Sequence, residues 1–186
     1  MQAVLAKTGL NLAAPSANKS GGISPTRAEH VLASLGNAVP LILDAGPCAA
    51  GLESTIVAVR EDGWQILRPG PVTAEAITKL VGSSPILATD ATIEAPGQLA
   101  SHYAPSKPLR LNAKEAQRDE WLIGFGEITG DENLSTTSDL SQAAARLFDA
   151  LHKADASGRD RIAVAAIPKS GIGEAINDRL RRAAAR

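Results

Sequence analysis

Apolar residues recur along the first 82 positions in runs whose length and period are typical of helices and strands. Glycine, proline and small polar residues separate these runs, and Ser24 and Thr73 stand where helix N-caps are expected. The turn Arg60-Glu-Asp-Gly63 joins two β-rich runs, which predicts an antiparallel hairpin. In chain order the pattern predicts the end of a helix closed by Gly9, a strand at 10–14, a helix at 25–35, a strand at 39–43, strands at 55–59 and 64–67, and a helix at 73–81.

The pattern changes after Gly82. Between residues 83 and 108 small residues and prolines predominate without a sustained period, which indicates a linker. Strands and helices then alternate, and this order predicts a small parallel α/β unit. Its predicted elements are strands at 109–111, 121–125 and 162–167 and helices at 139–154 and 173–184. We therefore divide the chain into a first domain at 1–82, a linker at 83–108 and a second domain at 109–186.

Composition limits the kinds of protein to be considered. The chain has 186 residues, of which 44% are hydrophobic and 21% charged, and such values are typical of globular proteins. Its formal net charge of −1 provides no overall basic field for nucleic acid, and five aromatic residues provide few stacking platforms for bases. The sequence has no long apolar run and no signal-peptide pattern, so we expect a cytoplasmic protein that does not enter a membrane.

Residues that bind metals are scarce. Cys48 is the single cysteine, which excludes an intramolecular disulfide and a cysteine-based zinc site. The three histidines have no His-Glu-x-x-His spacing, and no acidic calcium loop is present. We therefore expect no resident metal, and any metal ion should arrive with a substrate.

Short polar side chains surround the start of the second predicted helix. Ser16 and Asn18 follow the strand at 10–14, and Thr26 lies near the free N–H groups of the helix. Hydroxyl, amide and backbone N–H groups of this kind can bind a phosphate or a carboxylate. An ordinary strand-to-helix connection with an Asx turn gives the same pattern.

Further candidates lie at the two ends of the hairpin. Glu53 and Ser54 precede its first strand, and Arg68 ends its second. The planar guanidinium of an arginine suits a phosphate, although a solvated surface arginine and backbone contacts of the loop are alternatives. His102 and Tyr103 stand in the linker, and this is the sole tyrosine of the chain. It either contacts a substrate or packs the linker onto the first domain.

Other patterns are discounted. Gly124-Phe-Gly-Glu-Ile-Thr-Gly130 imitates a dinucleotide-binding motif, but its last glycine comes one residue late and no helix is predicted after it. Ser170-Gly-Ile-Gly173 is explained by a tight connection between strand and helix. The arginines of the last helix complement its dipole, and contact with RNA is a secondary interpretation. These arginines are Arg179, Arg181, Arg182 and Arg186.

Six segments together are far more specific than each alone, and in their order they resemble the YrdC-like threonylcarbamoyl-AMP synthases in their long, two-domain form. The resemblance continues through the second domain and covers nearly the whole chain. The six segments are Ala14-Pro-Ser-Ala-Asn-Lys-Ser-Gly21, Ser24-Pro-Thr26, Leu43-Asp-Ala-Gly-Pro47, Gly51-Leu-Glu-Ser-Thr-Ile56, Ile66-Leu-Arg-Pro-Gly70 and Ser101-His-Tyr-Ala-Pro105.

The resemblance implies a fold, a reaction and partners. The fold would be the C-terminal part of a twisted-sheet α/β catalytic domain, followed by a linker and a small Rossmann-like domain. The reaction would combine L-threonine, bicarbonate and ATP into threonylcarbamoyl-AMP and pyrophosphate, with Mg²⁺ carried by ATP. A partner transferase would then modify tRNA. Such chemistry depends on positioning and charge neutralisation rather than on a nucleophilic side chain.

The resemblance also implies roles for six residues. Ser16 and Ser54 would contact L-threonine, whereas the others would contact ATP, and Tyr103 would make the linker a lid that excludes water. No catalytic residue is assigned. The implied ATP contacts are Asn18, Thr26, Arg68 and Tyr103.

Family members carry more than a hundred residues before the Ser-Ala-Asn segment. We therefore expect Met1 to fall inside a longer protein, and we expect the chain alone to have little synthase activity. A non-catalytic module that binds RNA or nucleotides is the alternative function. The related carbamoyltransferase maturation proteins carry zinc-binding cysteines, and the lone Cys48 argues against them.

Overall fold

The computed structural model describes residues 2–86, 94–97 and 99–185. The expectation about Met1, parts of the predicted linker and Arg186 of the last helix lie outside the described residues. The described elements are α1 (Gln2–Thr8), α2 (Ala28–Leu35), a 3₁₀ turn (Gly36–Ala38), β1 (Ile56–Arg60), β2 (Gly63–Arg68), α3 (Ala74–Val81), β3 (Leu109–Ala113), β4 (Glu120–Gly124), β5 (Glu132–Asn133), α4 (Leu140–Ala156), β6 (Arg161–Ala165) and α5 (Ile172–Ala184).

The hairpin and the third helix form as predicted. Strands β1 and β2 pair antiparallel, and Arg60 stands opposite Gly63 at the turn. The Thr73 side chain accepts a hydrogen bond from the Ala76 amide at 3.3 Å and so caps α3. Gly82 closes the helix in the left-handed conformation, where a glycine carries no Cβ penalty.

Two strand predictions are wrong. No strand forms at 10–14 or 39–43 among the described residues, and both described sheets are built from other segments. A strand exists only where a neighbouring backbone pairs with its N–H and C=O groups, and an apolar run alone does not supply that neighbour. The leucines of these segments remain largely exposed. They are Leu10, Leu12, Leu41 and Leu43.

The start of α2 also differs from the prediction. The helix begins at Ala28 rather than at residue 25, and Arg27 before it is extended without a side-chain cap. Ser24, the predicted cap, donates its hydroxyl hydrogen to the Glu53 carboxylate, 29 residues away. A tertiary hydrogen bond has therefore replaced the local cap that the sequence pattern favours.

The second half of the chain is the predicted parallel α/β unit. Its four strands are ordered β3-β6-β4-β5, and every pairing is parallel. Helices α4 and α5 pack against each other and cover the sheet. The apolar face of α4 is buried as its period predicts, and Asp139 caps the helix by accepting from the amides of Ser141 and Gln142.

Helix α4 also contacts the first half of the chain. Gly51 is packed against the backbone of Ala144 and Ala145, and the Arg27 guanidinium donates to Asp149 at 2.7 Å. Helix α4 is therefore one of the elements through which the first half contacts the parallel unit. Within the described ranges no helix is long and apolar enough to cross a membrane.

Candidate functional site

A cavity of about 480 Å³ lies where the hairpin and the loop before it meet residues 14–16, 96–97 and 102–103, and we call it the main cavity. Its volume falls within the range of about 300–1,000 Å³ that is usual for small-molecule sites. Four of the six residues predicted as ligand contacts line it. They are Ser16, Ser54, Arg68 and Tyr103.

Arg68 is held rigidly at the end of β2. Its Nε and Nη2 atoms donate to the Ser54 carbonyl at 3.1 and 2.9 Å, and Nη1 donates to the Pro96 carbonyl at 3.2 Å. The side chain is almost buried, with 9% of its surface exposed. An arginine has five N–H donors, so these three bonds leave two. One of them makes only a long contact of 3.4 Å with the Ser54 hydroxyl.

Tyr103 is buried beside this guanidinium, with its hydroxyl unpaired among the described residues. Burial raises the pKa of the phenol, so it stays protonated and can donate near neutral pH. Gly97, at a φ of +85°, passes so close that a Cβ there would overlap the Tyr103 hydroxyl. The neighbouring His102 Nδ1 is also buried without a described partner, and burial lowers the pKa of its imidazole. Two unpaired polar atoms therefore border the main cavity.

A second, smaller cavity of about 180 Å³ adjoins the first, and we call it the side cavity. Ser16 and Glu53 line both cavities, so the two spaces share a wall. Ser24, Thr26 and Phe148 contribute to the side cavity. A small polar ligand in one cavity and a larger one in the other would lie next to each other.

Asn18 lines neither cavity. Its Nδ2 donates to the carbonyls of Lys19 and Gly22 at 3.0 and 3.1 Å, which holds the turn after Ser16. Its Oδ1 is buried and has no partner in the described part of the chain. The structure thus assigns the amide group to the turn, and its contact with ATP stays a prediction.

Thr26 is buried at the wall of the side cavity. Its backbone N–H, which the sequence pattern offers to an anion, donates instead to His30 Nδ1 at 3.2 Å. The His30 ring stacks on the His152 ring of α4 with 3.8 Å between their centroids. His152 Nε2 lies 3.1 Å from the Ser24 carbonyl. A contact of Thr26 with ATP therefore remains a prediction that would use its hydroxyl.

The stacked histidines make the contact between α2 and α4 sensitive to pH. Burial lowers the pKa of both imidazoles from 6.5, and the proximity of the rings lowers that of His30 further. Asp149 opposes this effect at His30 but is already bonded to Arg27 and Lys153. Histidines whose pKa is lower in the folded chain stabilise it above pH 6.5, and this contribution is lost as the pH falls through the folded pKa.

We expect the melting temperature to fall between pH 7.5 and pH 5.0, and the fall should be smaller in the variant His152→Gln. Glutamine keeps a hydrogen-bonding side chain but has no titrating ring, so that only His30 and His102 would then remain to be protonated. Thermal unfolding followed at several pH values measures the difference. Parallel pH profiles for the variant and the parent would contradict the assignment to this pair.

Two residues to which the family resemblance gave no role, Glu53 and Arg179, are paired at the site. Glu53 accepts from the Ser24 hydroxyl through Oε1 and from Arg179 Nε through Oε2, at 2.5 and 2.9 Å. Arg179, on α5, is completely buried. Its position was predictable, because it lies three residues after Ile176 and four before Ala183 and so shares their buried helix face. Its pairing with Glu53, 126 residues away, was not predictable from the sequence pattern.

This burial weakens the secondary interpretation of the last helix as a basic surface for RNA. Arg179 is withdrawn from solvent, and Arg182 is bonded to Asp178 and to the Leu99 carbonyl. Only Arg181 of the three described arginines is widely exposed. The helix therefore presents much less free positive charge than its sequence suggests.

Over residues 2–86, 94–97 and 99–185 no group of three or more His, Cys, Asp or Glu side chains could hold a metal ion. Both oxygens of Glu53 already accept hydrogen bonds from Ser24 and Arg179. Besides this carboxylate and the His102 imidazole, the polar side chains of the main cavity carry hydroxyl, guanidinium and phenol groups, which suit a ligand that brings its own negative charge.

Two family models match the chain. The one described as threonylcarbamoyl-AMP synthase, C-terminal domain, matches residues 72–185, and the one described as telomere recombination matches residues 1–70. Together these matches reach from the first residue to the end of the described chain.

Relatives and solved structures agree with the family models. The chain is 35% identical to the threonylcarbamoyl-AMP synthase of Bacillus subtilis and 33% identical to that of Pyrococcus abyssi, over 98% and 92% of its length. It covers 59% and 57% of these two proteins, so it spans less than two thirds of either relative. The crystal structure of P. abyssi Sua5 complexed with L-threonine superposes with a TM-score of 0.83 at 31% identity, covering 97% of this chain and 60% of that one.

Proposed function

The chain belongs to the threonylcarbamoyl-AMP synthase C-terminal domain family, and on this basis we propose that it contributes the main cavity to the synthesis of threonylcarbamoyl-AMP. One observation carries the proposal: Ser16, Ser54, Arg68 and Tyr103, from four separate segments, line one cavity. The substrates would be L-threonine, bicarbonate and ATP. The enzyme class would be a nucleotidyltransferase.

The proposed reaction needs charge placement more than side-chain nucleophiles. The neutral amine of threonine attacks the carbon of bicarbonate, and a C–O bond breaks with loss of water to give a carbamate. A carbamate oxygen then attacks the α-phosphorus of ATP. A bond between that oxygen and phosphorus forms while the bond from the α-phosphorus to the bridging oxygen breaks, and pyrophosphate leaves. Negative charge develops on the phosphate oxygens during this step, and a fixed cation beside them lowers the barrier.

Arg68 is suited to that role. Its bonds to Ser54 and Pro96 fix the guanidinium, so little conformational entropy is lost when a phosphate binds. Two N–H donors remain for the ligand. The Ser54 hydroxyl, 3.4 Å from Arg68 Nη2, would bring a bound threonine next to the same cation.

Tyr103 would close the site. It is buried at the cavity wall, and its hydroxyl has no partner within the described part of the chain. A protonated phenol can donate to a phosphate oxygen, and the covering segment would keep water from the carbamate and from the mixed anhydride product. Mg²⁺ would arrive on the triphosphate as part of the substrate, and a partner transferase would take the product to tRNA.

The test is equilibrium binding of L-threonine and of ATP to the 186-residue chain, followed by calorimetry. We expect Ser54→Ala to weaken threonine about fivefold to tenfold, since it removes one neutral hydrogen bond. Arg68→Ala should weaken ATP by about 10- to 100-fold, since it removes a charge-assisted contact. Arg60→Ala, on the same hairpin but paired with Glu94 away from the cavity, is the matched control and should bind both ligands normally.

Turnover is tested where the rest of the enzyme is present. In a chimera this chain replaces the matched portion of the B. subtilis synthase, and release of pyrophosphate is measured with and without threonine and bicarbonate. We expect release to require both and to fall by at least tenfold in Arg68→Ala. The proposal would be contradicted if the parent chain bound neither threonine nor ATP, or if the chimera released pyrophosphate without threonine.

A non-catalytic RNA-binding module is the competing function. Its main support was the basic last helix, and the burial of Arg179 and the pairing of Arg182 weaken that support. A module that only binds RNA would not be expected to bind threonine. Binding of tRNA by the parent chain without binding of threonine would favour it.

A further inference from the structure

Helix α5 of the parallel unit buries a complete guanidinium. Arg179 has none of its surface exposed, and it donates to Glu53 Oε2 at 2.9 Å and to Asp178 Oδ2 at 3.0 Å. A charged side chain is withdrawn from water only at a large desolvation cost, which close partners of opposite charge offset. The Nη2 atom of Arg179 has no partner within the described part of the chain.

Glu53 connects Arg179 to the candidate site. It precedes Ser54, and it lines both the main and the side cavity. Its second oxygen accepts from Ser24, so the carboxylate is fixed from two sides. The position of the loop that bears Ser54 therefore depends on a residue of the last helix.

The same helix holds residues 99–105, which we call the strap. Arg182 donates to the Leu99 carbonyl, and its own carbonyl accepts from the His102 amide at 3.2 Å. The Arg179 guanidinium lies 5.3 Å from the centre of the Tyr103 ring, a distance at which cation and ring attract each other. On its other side the strap is bonded through the Ala104 amide to the Gly21 carbonyl at 2.8 Å.

We propose that Arg179 is a positioning residue of the site: it fixes Glu53 and holds the Tyr103 ring, so that α5 sets the closed position of the strap. It does not touch the substrate, since it lines neither cavity. The consequence for turnover rests on the proposed function, whereas the mechanical coupling between α5 and the strap does not.

A purely structural role for Arg179 makes a different prediction. In that case it only balances the Glu53 charge, and removing both charges together would restore the parent's behaviour throughout. If Arg179 also holds the Tyr103 ring, the strap stays loose even when the Glu53 charge has been removed. The double variant Arg179→Gln with Glu53→Gln separates the two cases. It leaves no uncompensated buried carboxylate, because Asp178 keeps its bonds to Arg182.

The experiment measures hydrogen exchange at the His102 and Ala104 amides of the full chain. In Arg179→Gln and in the double variant we expect exchange at least tenfold faster than in the parent, with amides of β4 and β6 unchanged in the double variant. Arg181→Gln on the same helix, whose arginine is 62% exposed, is the matched control and should exchange like the parent. Exchange at the parental rate in the double variant would overturn the proposal.

Ligand addition links the coupling to the site. In the parent, threonine with ATP should slow exchange at both amides, and Arg179→Lys, which keeps the charge but not the planar fork, should show partial slowing. Slowing of equal size in the parent and in the double variant would also contradict the proposal. Absence of any ligand effect in the parent would count against the proposed function alone, because the ligand-free exchange rates would stand.

Discussion

Replacing Gly51 by alanine is expected to lower the free energy of unfolding by more than about 3 kcal/mol, whereas the same change at Gly46 should lower it by about 1 kcal/mol. Both glycines have positive φ, at +68° and +84°, so both alanines carry the left-handed strain. Of these two glycines, only Gly51 lies where an added Cβ would overlap other atoms, namely the backbone of Ala144 and Ala145 in α4. At Gly46 no atom lies within 4 Å.

The comparison isolates a close approach that orders the site. Backbone of a helix cannot yield as a flexible side chain can, so the loop before Glu53 and Ser54 would have to leave α4. We therefore expect Gly51→Ala to weaken threonine binding as well, and Gly46→Ala to leave it unchanged. Urea unfolding followed by tryptophan fluorescence gives the stabilities, and calorimetry gives the binding. Equal effects of the two substitutions would show that the packing of Gly51 on α4 does not contribute to the stability of the chain.

Replacing Phe148 by alanine is expected to lower the free energy of unfolding by about 3–5 kcal/mol. Phe148 is 1% exposed in the core of the parallel unit, and its ring centre lies 5.6 Å from that of Tyr103. Truncation removes buried apolar surface and leaves a space that the packed helices fill only in part. It also removes one wall of the side cavity.

Urea unfolding also measures this effect. Leu80→Ala is the control, because that leucine is 87% exposed on α3 and its truncation should change stability by less than about 0.5 kcal/mol. Hydrogen exchange at the His102 and Ala104 amides should accelerate in Phe148→Ala and remain unchanged in Leu80→Ala. A loss below about 1 kcal/mol for Phe148→Ala would mean that the core does not depend on this ring.

The sequence predicted which residues line the candidate site better than it predicted the hydrogen bonds that those residues make. Order along the chain and resemblance to a family selected Ser16, Ser54, Arg68 and Tyr103, and these four line one cavity. Asn18 and Thr26 came from the same motifs. The Asn18 side-chain amide, however, donates within its own turn, and the Thr26 backbone N–H donates to His30. A motif identifies which residues recur together, but it does not say which donor is already used by the protein itself.

The amino-acid sequence alone determined the elements that depend on near neighbours: the hairpin closed at Gly63, the Thr73 cap, the apolar face of α4 and the parallel α/β order of the second half. These follow from periods and caps a few residues long. The tertiary structure alone decided where apolar runs without partners fail to form strands, and which helix meets the site. The pairing of Glu53 with Arg179 spans 126 residues and is set by burial of charge, a free energy that depends on the surroundings of both groups rather than on any local pattern.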